Sequence, residues 1–214
     1  MKAKDVSPMV IRRLPRYYRY LGELLGKNVA RISSKDLSIL MGVTASQIRQ
    51  DLNCFGGFGQ QGYGYNVEQL HSQIANILGL DKGYKTIIVG AGNLGKALAK
   101  HSNFRKRGFN IIGIFDADEN LVGKEISGMT VQHSSDMDAF VRENSPHIAI
   151  LALPKSAVEK EAHRLVELGV KGIWNFSYGE LHLPEGVAVE NVHLSDSLMT
   201  LSYKISQLED MEEE

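Results

Sequence analysis

The chain has 214 residues, 43% of them hydrophobic, and a net charge of −1, which allows one large domain or two small ones with real cores. No apolar run approaches the ~20 residues of a membrane span, and Met1 to Asp5 lead into Arg12, Arg13 and Arg16 without the apolar stretch of a secretory signal. The only cysteine is Cys54 and the seven histidines are scattered, which excludes an intrachain disulfide and a cysteine-based zinc site and suits a reducing cytoplasm.

The small net charge hides an asymmetry. Residues 1–82 carry 11 Lys+Arg against 6 Asp+Glu, whereas residues 83–214 carry 13 against 19. A basic segment joined to an acidic one suggests two modules with different partners. The basic half shows almost no strand signal before residue 58. Val10 to Leu25 predicts a helix carrying Arg13, Arg16 and Arg19 as candidate DNA contacts, with Pro15 either kinking it or marking its start. Ser33 and Asp36 read as the cap and first-turn acid of a short helix with Leu37, Leu40 and Met41 on one face, ended by Gly42. Thr44-Ala45-Ser46-Gln47 is a capping box opening the next helix. There Ile48, Leu52 and Phe55 face inward, leaving Ser46, Gln47, Arg49, Gln50 and Asn53 outward. Two short helices with a polar second face predict a helix-turn-helix. Five glycines between Gly56 and Tyr65, interleaved with aromatics, predict a tight β-ribbon, or wing, carrying Gln60 and Gln61. Tyr65 to Leu80 returns to a helix, with Leu70, Ile74, Ile77 and Leu78 on one side. Gly79 to Gly83 is the expected link.

The acidic half predicts strands at 85–89, 110–115, 129–132, 148–153, 171–175 and 187–191, and helices at 93–107, 134–144 and 155–168. Such alternation gives a doubly wound parallel sheet. Gly90-Ala91-Gly92-Asn93-Leu94-Gly95 sits between an apolar strand and a helix, and Asp116 follows the next strand, 21 residues after Gly95. That is the dinucleotide fingerprint in context. Gly90 permits the turn, Gly92 lets a pyrophosphate approach, and Gly95 lets helix and sheet pack. Asp116 can accept hydrogen bonds from an adenosine ribose and repels a 2′-phosphate. Ligands bind beyond the C-terminal strand ends, where Leu153, Pro154 and Phe176 can flank a nicotinamide. Leu198, Leu201, Ile205 and Leu208 form an apolar stripe from Asp196 to about Asp210 with nothing sequence-local left to cover. The expected organisation is a winged-helix DNA-binding domain at 1–80, a Rossmann-like domain at 84–195, and a dimerisation helix with acidic tail at 196–214.

The chain resembles the Rex family, bacterial transcriptional repressors that sense the NADH/NAD⁺ balance. The resemblance spans roughly residues 5–210. It is carried by Arg13 to Leu21, Gln47 to Leu52, Phe55 to Gly59, Gly62 to Tyr65, Gly90 to Gly95, Phe115-Asp116 and Asn175-Phe176. It implies a homodimer whose winged helices bind a palindromic operator and whose Rossmann domains bind NAD⁺ and NADH. It further implies that NADH releases operators of genes for fermentation and NADH reoxidation, and that the C-terminal helix is exchanged between subunits. Arg19 matches a family position reaching toward the cofactor domain. Three departures stand out. Gln50, Gln60 and Gln61 occupy positions where the family commonly has Lys or Arg, His101 stands where Tyr is frequent, and Asn93 sits at a variable spot of the glycine turn. The rival readings are an NAD-dependent dehydrogenase and a CoA-binding enzyme domain. His133, His147, His163, His182 and His193 could serve the first, but none stands in a catalytic motif. Asp116 favours a dinucleotide over CoA.

Overall fold

The computed structural model describes residues 6–56, 58–60 and 63–212. Its contacts divide the chain into two compact units, Met1–Lys82 and Gly83–Glu214.

The first unit opens with α1 (Pro8–Gly26), capped by Ser7, whose Oγ accepts from the Met9 N–H at 3.3 Å. Pro8 lies where a missing N–H leaves no bond broken. Pro15 neither starts nor ends the helix; it sits on the exposed side while Val10, Leu14, Tyr17 and Leu21 form the buried face. β1 (Arg31–Ile32) follows, too short to leave a periodic signal. α2 (Ser34–Met41) is capped by Ser33 and stopped by Gly42 at φ +63°. Leu37 and Met41 are buried there, but Leu40 is 43% exposed and Ser38 takes the inward position. α3 (Ala45–Asn53) starts at Thr44, whose Oγ1 accepts from the Gln47 N–H at 3.1 Å. The return arm of the expected box is absent, because the Gln47 side chain is engaged elsewhere. β2 (Gly59–Gln60) and β3 (Gly64–Asn66) form the ribbon, and β1 joins it in the order β1-β3-β2. Gly64, at φ +68°, lies so close to the Ile32–Ser33 backbone that a Cβ would fall 3.3 Å from Ser33 Cα. α4 (Val67–Ile77) completes the unit; it starts two residues later than expected because Tyr65 pairs in the sheet, and Ile77 is 37% exposed rather than packed. One core unites these elements through Leu14, Tyr17, Leu21, Leu37, Ile48, Leu52, Leu70 and Ile74, and Phe55 packs half-buried against it.

The second unit is the doubly wound sheet. Its elements in order are β4 (Tyr84–Val89), α5 (Asn93–Ala99), α6 (Asn103–Lys106), β5 (Phe109–Asp116), β6 (Glu125–Ile126), β7 (Met129–His133), a 3-10 turn at Ser134–Asp136, and α7 (Met137–Asn144). Then come β8 (Ile148–Leu151), α8 (Lys155–Glu167), β9 (Gly172–Asn175), β10 (Ala188–Asn191) and α9 (Leu194–Glu212). The strand order is β10-β9-β8-β4-β5-β7-β6, parallel except for the β6–β7 hairpin. The helix expected over 93–107 is broken at Lys100–Ser102, since Ser and Asn favour turns and caps over helix interiors. The sheet buries both faces, as the unbroken apolar runs require. Ile87, Val89, Ala149 and Leu151 meet α7 and α8 on one side; Ile88, Ile114 and Ile150 pack with Ala91 and Ala99 on the other. α9 is different: every residue from Asp196 to Met211 is exposed.

Candidate functional site

The order of the parallel strands reverses between β4 and β8, and such a switch point opens a crevice at the C-terminal strand ends. The glycine turn lies there. Gly90 is at φ +103°, its N–H donates to Phe115 O at 2.8 Å, and a Cβ on it would collide with the Ala152 carbonyl. A Cβ on Gly95 would collide with the carbonyl of Gly90. Packing within the chain therefore demands both outer glycines. Gly92 is unlike them. It caps α5 without any side-chain bond, and a Cβ on it would meet nothing within 4 Å. The turn keeps that spot open toward the outside, where the first N–H groups of the helix await an acceptor.

Asp116 ends β5 and reaches across to the turn. Its Oδ2 accepts from the Ala91 N–H at 2.5 Å and its Oδ1 from the Asp118 N–H at 2.8 Å. Each carboxylate oxygen keeps a second lone pair, so Asp116 holds the turn and can still accept from a ligand. Ala91 is fully buried under it. Asn93 and Leu94 form the first turn of α5. Leu153 is half-buried, and Pro154 caps α8. Phe176 is half-buried at the end of β9, beside Trp174 at 4.7 Å between ring centroids; Trp174 meets Phe104, which stacks on His101. Asn175, fully buried, fixes this loop: it donates to Gly179 O and Asn191 Oδ1 and accepts from the Ser177 N–H. In the sequence Asn175 stands only beside Phe176, in one of the dipeptides that carry the family resemblance. Its signal was a lone amide closing an apolar strand.

Gly95→Ala is expected to destabilise the second unit by about 1–3 kcal/mol, the usual cost of overpacking, while Gly92→Ala leaves its stability unchanged and weakens only nucleotide binding. Chemical denaturation of the two variants beside the parent checks this, and equal losses of stability would refute the distinction.

In the first unit, Ser46, Arg49 and Gln50 are exposed on α3 and Gln47 is half-buried. Arg49 Nη1 donates to Ser34 Oγ of α2 at 3.1 Å. The arginines of α1 divide. Arg16 Nη2 donates to Met41 O at 2.7 Å, at the end of α2, and Arg19 lies over the Tyr20 ring at 5.3 Å. Arg13 is the partner of a buried carboxylate: its Nε and Nη2 donate to Asp51 Oδ2 and Oδ1 at 2.6 and 2.8 Å. Tyr17 Oη donates to Asp51 Oδ2 at 2.9 Å and Gln47 Nε2 to Oδ1 at 2.7 Å. Asp51 is wholly buried. Burial opposes its ionisation, but the hydrogen bonds from Arg13, Gln47 and Tyr17, with the Arg13 charge, outweigh it and hold the carboxyl below the usual range. Burial and the same carboxylate push the Tyr17 phenol up. Sequence reasoning missed Asp51, although Arg13/Tyr17 and Gln47/Asp51 are each one helical turn apart. Of the wing glutamines, Gln60 lies in β2 and Gln61 falls outside the described residues.

Among the described residues no helix is long and apolar enough to cross a membrane, and no cluster of His, Cys, Asp and Glu is arranged to hold a metal ion.

Two family models match the chain: "CoA binding domain" over residues 81–179, and "Putative DNA-binding protein N-terminus" over residues 5–53. The chain is 53% identical over 204 residues to the redox-sensing transcriptional repressor Rex of Clostridioides difficile, covering 95% of this chain and 97% of that one. It is 56% identical over 208 residues to the Rex of Thermoanaerobacter pseudethanolicus, covering 97% and 93%. Among solved structures it is similar to RSP, a Rex-family repressor, with a TM-score of 0.91 and 52% identity over 98% of each chain. RSP in complex with β-NAD⁺ and operator DNA superposes with a TM-score of 0.90 at 55% identity, covering 98% of this chain and 97% of that one. RSP in complex with β-NADH gives 0.90 at 52%, covering 97% and 98%.

Proposed function

The chain belongs to the Rex family of redox-sensing transcriptional repressors, and on that footing we propose that it binds operator DNA as a homodimer in the cytoplasm and leaves it when NADH binds. The observation that carries the ligand half is Gly92, a glycine that packing within the chain does not require, placed beside an acid with lone pairs to offer. The relatives named above are repressors, and two of the RSP structures hold the ligands this reading needs, so the fold serves regulation here rather than catalysis.

The residues fit a dinucleotide. Gly90, Ala91, Gly92, Asn93, Leu94 and Gly95 form the turn that holds the pyrophosphate; the N–H groups of Gly90 and Ala91 are spent on Phe115 and Asp116, and those opening α5 receive the phosphates. Asp116 accepts from the adenosine ribose with its remaining lone pairs. Leu153, Pro154 and Phe176 form apolar walls for the nicotinamide. When bound, the cofactor supplies a ring that is cationic when oxidised and neutral when reduced. Discrimination then requires that the two forms favour different states of the protein.

On the DNA side, the N-terminal turn of α3 enters the major groove. Ser46, Gln47, Arg49 and Gln50 face the bases, with Arg49 suited to a guanine. Arg16 and Arg19 are the α1 cations we assign to phosphates; Arg13 has two of its five N–H donors committed to Asp51. Gln60 and Gln61 belong to the wing but bring no charge, which lowers affinity and flattens its salt dependence.

A gel-shift titration of operator DNA in parallel with NAD⁺ and NADH tests the proposal. NADH is expected to weaken binding by at least tenfold, while NAD⁺ leaves it intact or strengthens it. Equal affinity at saturating levels of both would sink the sensor reading.

A further inference from the structure

The buried carboxylate of Asp51 decides which way a neighbouring side chain faces. Its two oxygens accept four hydrogen bonds, from Arg13 Nε and Nη2, Tyr17 Oη and Gln47 Nε2. A carboxylate ion only accepts, and four bonds exhaust its lone-pair sites. Gln47 must therefore present its amide nitrogen inward. The usual ambiguity between amide N and O disappears, because turning the amide over would set a carbonyl against a carboxylate. The Gln47 carbonyl has no hydrogen-bond partner among the described residues, and it is not among the buried side-chain atoms lacking one, which are Gln73 Oε1 and His193 Nε2. It reaches solvent. Gln47 also stands in the first turn of α3, directly after the Thr44 cap, the part of a recognition helix that meets base edges.

A freely rotating glutamine can offer either face to DNA, and so can read amino or keto bases. This one cannot. We propose that Gln47 is a specificity-determining residue whose outward carbonyl accepts a hydrogen bond from an exocyclic amino group, adenine N6 or cytosine N4, at one base pair in each operator half-site. Asp51 is the positioning residue that fixes its direction, with Arg13 and Tyr17 holding the carboxylate in place. At that base pair the contacted strand favours an amino base, adenine above all, whose N7 also accepts the remaining Nε2 hydrogen; guanine and thymine, with keto oxygens in the major groove, leave the Gln47 carbonyl without a donor. The inference deepens the reading of α3 as the groove-entering helix and rests on it.

The test is selection of bound duplexes from a pool with randomised half-sites, using the full-length protein with NAD⁺, followed by sequencing. For the parent chain, one position per half-site is expected to favour adenine or cytosine, singly or together, by about tenfold over guanine and thymine. Gln47→Met keeps length but cannot accept, and is expected to flatten that position alone. Asp51→Asn gives the Gln47 carbonyl an inward donor, so the amide can turn and the amino preference is lost there while the preference set by Arg49 persists. If Asp51→Asn does not fold, Gln47→Met decides by itself. Sequence-specific selection in which Gln47→Met changes no position, or in which the affected position prefers guanine or thymine, overturns the inference and leaves the DNA-binding reading standing. Selection that enriches no sequence overturns both.

Discussion

A chain ending at His193 is expected to run as a monomer and to lose operator binding by a factor of about 10²–10⁴, the avidity lost when two linked half-sites become one. Such a chain lacks α9. Leu198, Leu201, Ile205 and Leu208 are 67, 51, 48 and 62% exposed, and a 19-residue helix with apolar side chains left in water is not stable alone. A second copy of the chain is the partner the family implies, and half-site spacing on DNA then follows from the dimer. Sedimentation of the truncated protein, paired with an operator shift, reads both effects. A truncated chain that remains dimeric and still binds would rule out α9 as the main dimer element.

Asp51→Ala is expected to cost the first unit about 3–5 kcal/mol, the range for removing one partner of a buried ion pair. The Arg13 charge, with its side chain 20% exposed, and the buried Tyr17 hydroxyl would both lose their acceptor. The comparison is Asp138→Ala, which breaks the Arg164 bridge at 2.6 Å; Asp138 is 39% exposed, so that loss is expected to stay below about 1 kcal/mol. The pH dependence has a definite sign. Asp51 is held below its unfolded value, so its contribution is complete above about pH 4, the unfolded carboxyl range, and disappears as pH falls through the depressed folded value. Denaturant melts followed by far-ultraviolet circular dichroism at several acidic pH values check both statements. A parent protein whose helical content resists acid as well as the Asp51→Ala variant would contradict them.

The parallel sheet was legible because a strand covered on both faces must be apolar throughout. Ile148 to Leu151 therefore stood out, and the glycine turn between β4 and α5 marked the crevice. The glycine-rich ribbon of β2 and β3 was legible as well, but two other short antiparallel strands were not. β1 and β6 have two residues each, too few for any period, and exist because β3 and β7 offer them an edge. The break between α5 and α6 was hidden by good helix formers on both sides. The candidate site divides the same way. Glycines at fixed spacing and the acid closing β5 carry their own signal, whereas a buried Asp51 looks in sequence like any polar helix residue. Its burial follows from Arg13 and Tyr17, 38 and 34 residues earlier, and such pairing is tertiary information. The second task of Arg13 was hidden for the same reason: a cation on an amphipathic helix shows no partner until its acid is located.

The aromatic string beside the crevice contains Trp174, the one tryptophan of the chain. Indole emission therefore reports on Gly83–Glu214 alone, and the winged unit, which holds tyrosines but no tryptophan, is dark at long wavelengths. A melting curve recorded there describes only the nucleotide-binding half. Coincidence of that curve with one recorded from backbone signal would mean that the two halves unfold together. Separation would mean that no single unfolding free energy describes the molecule.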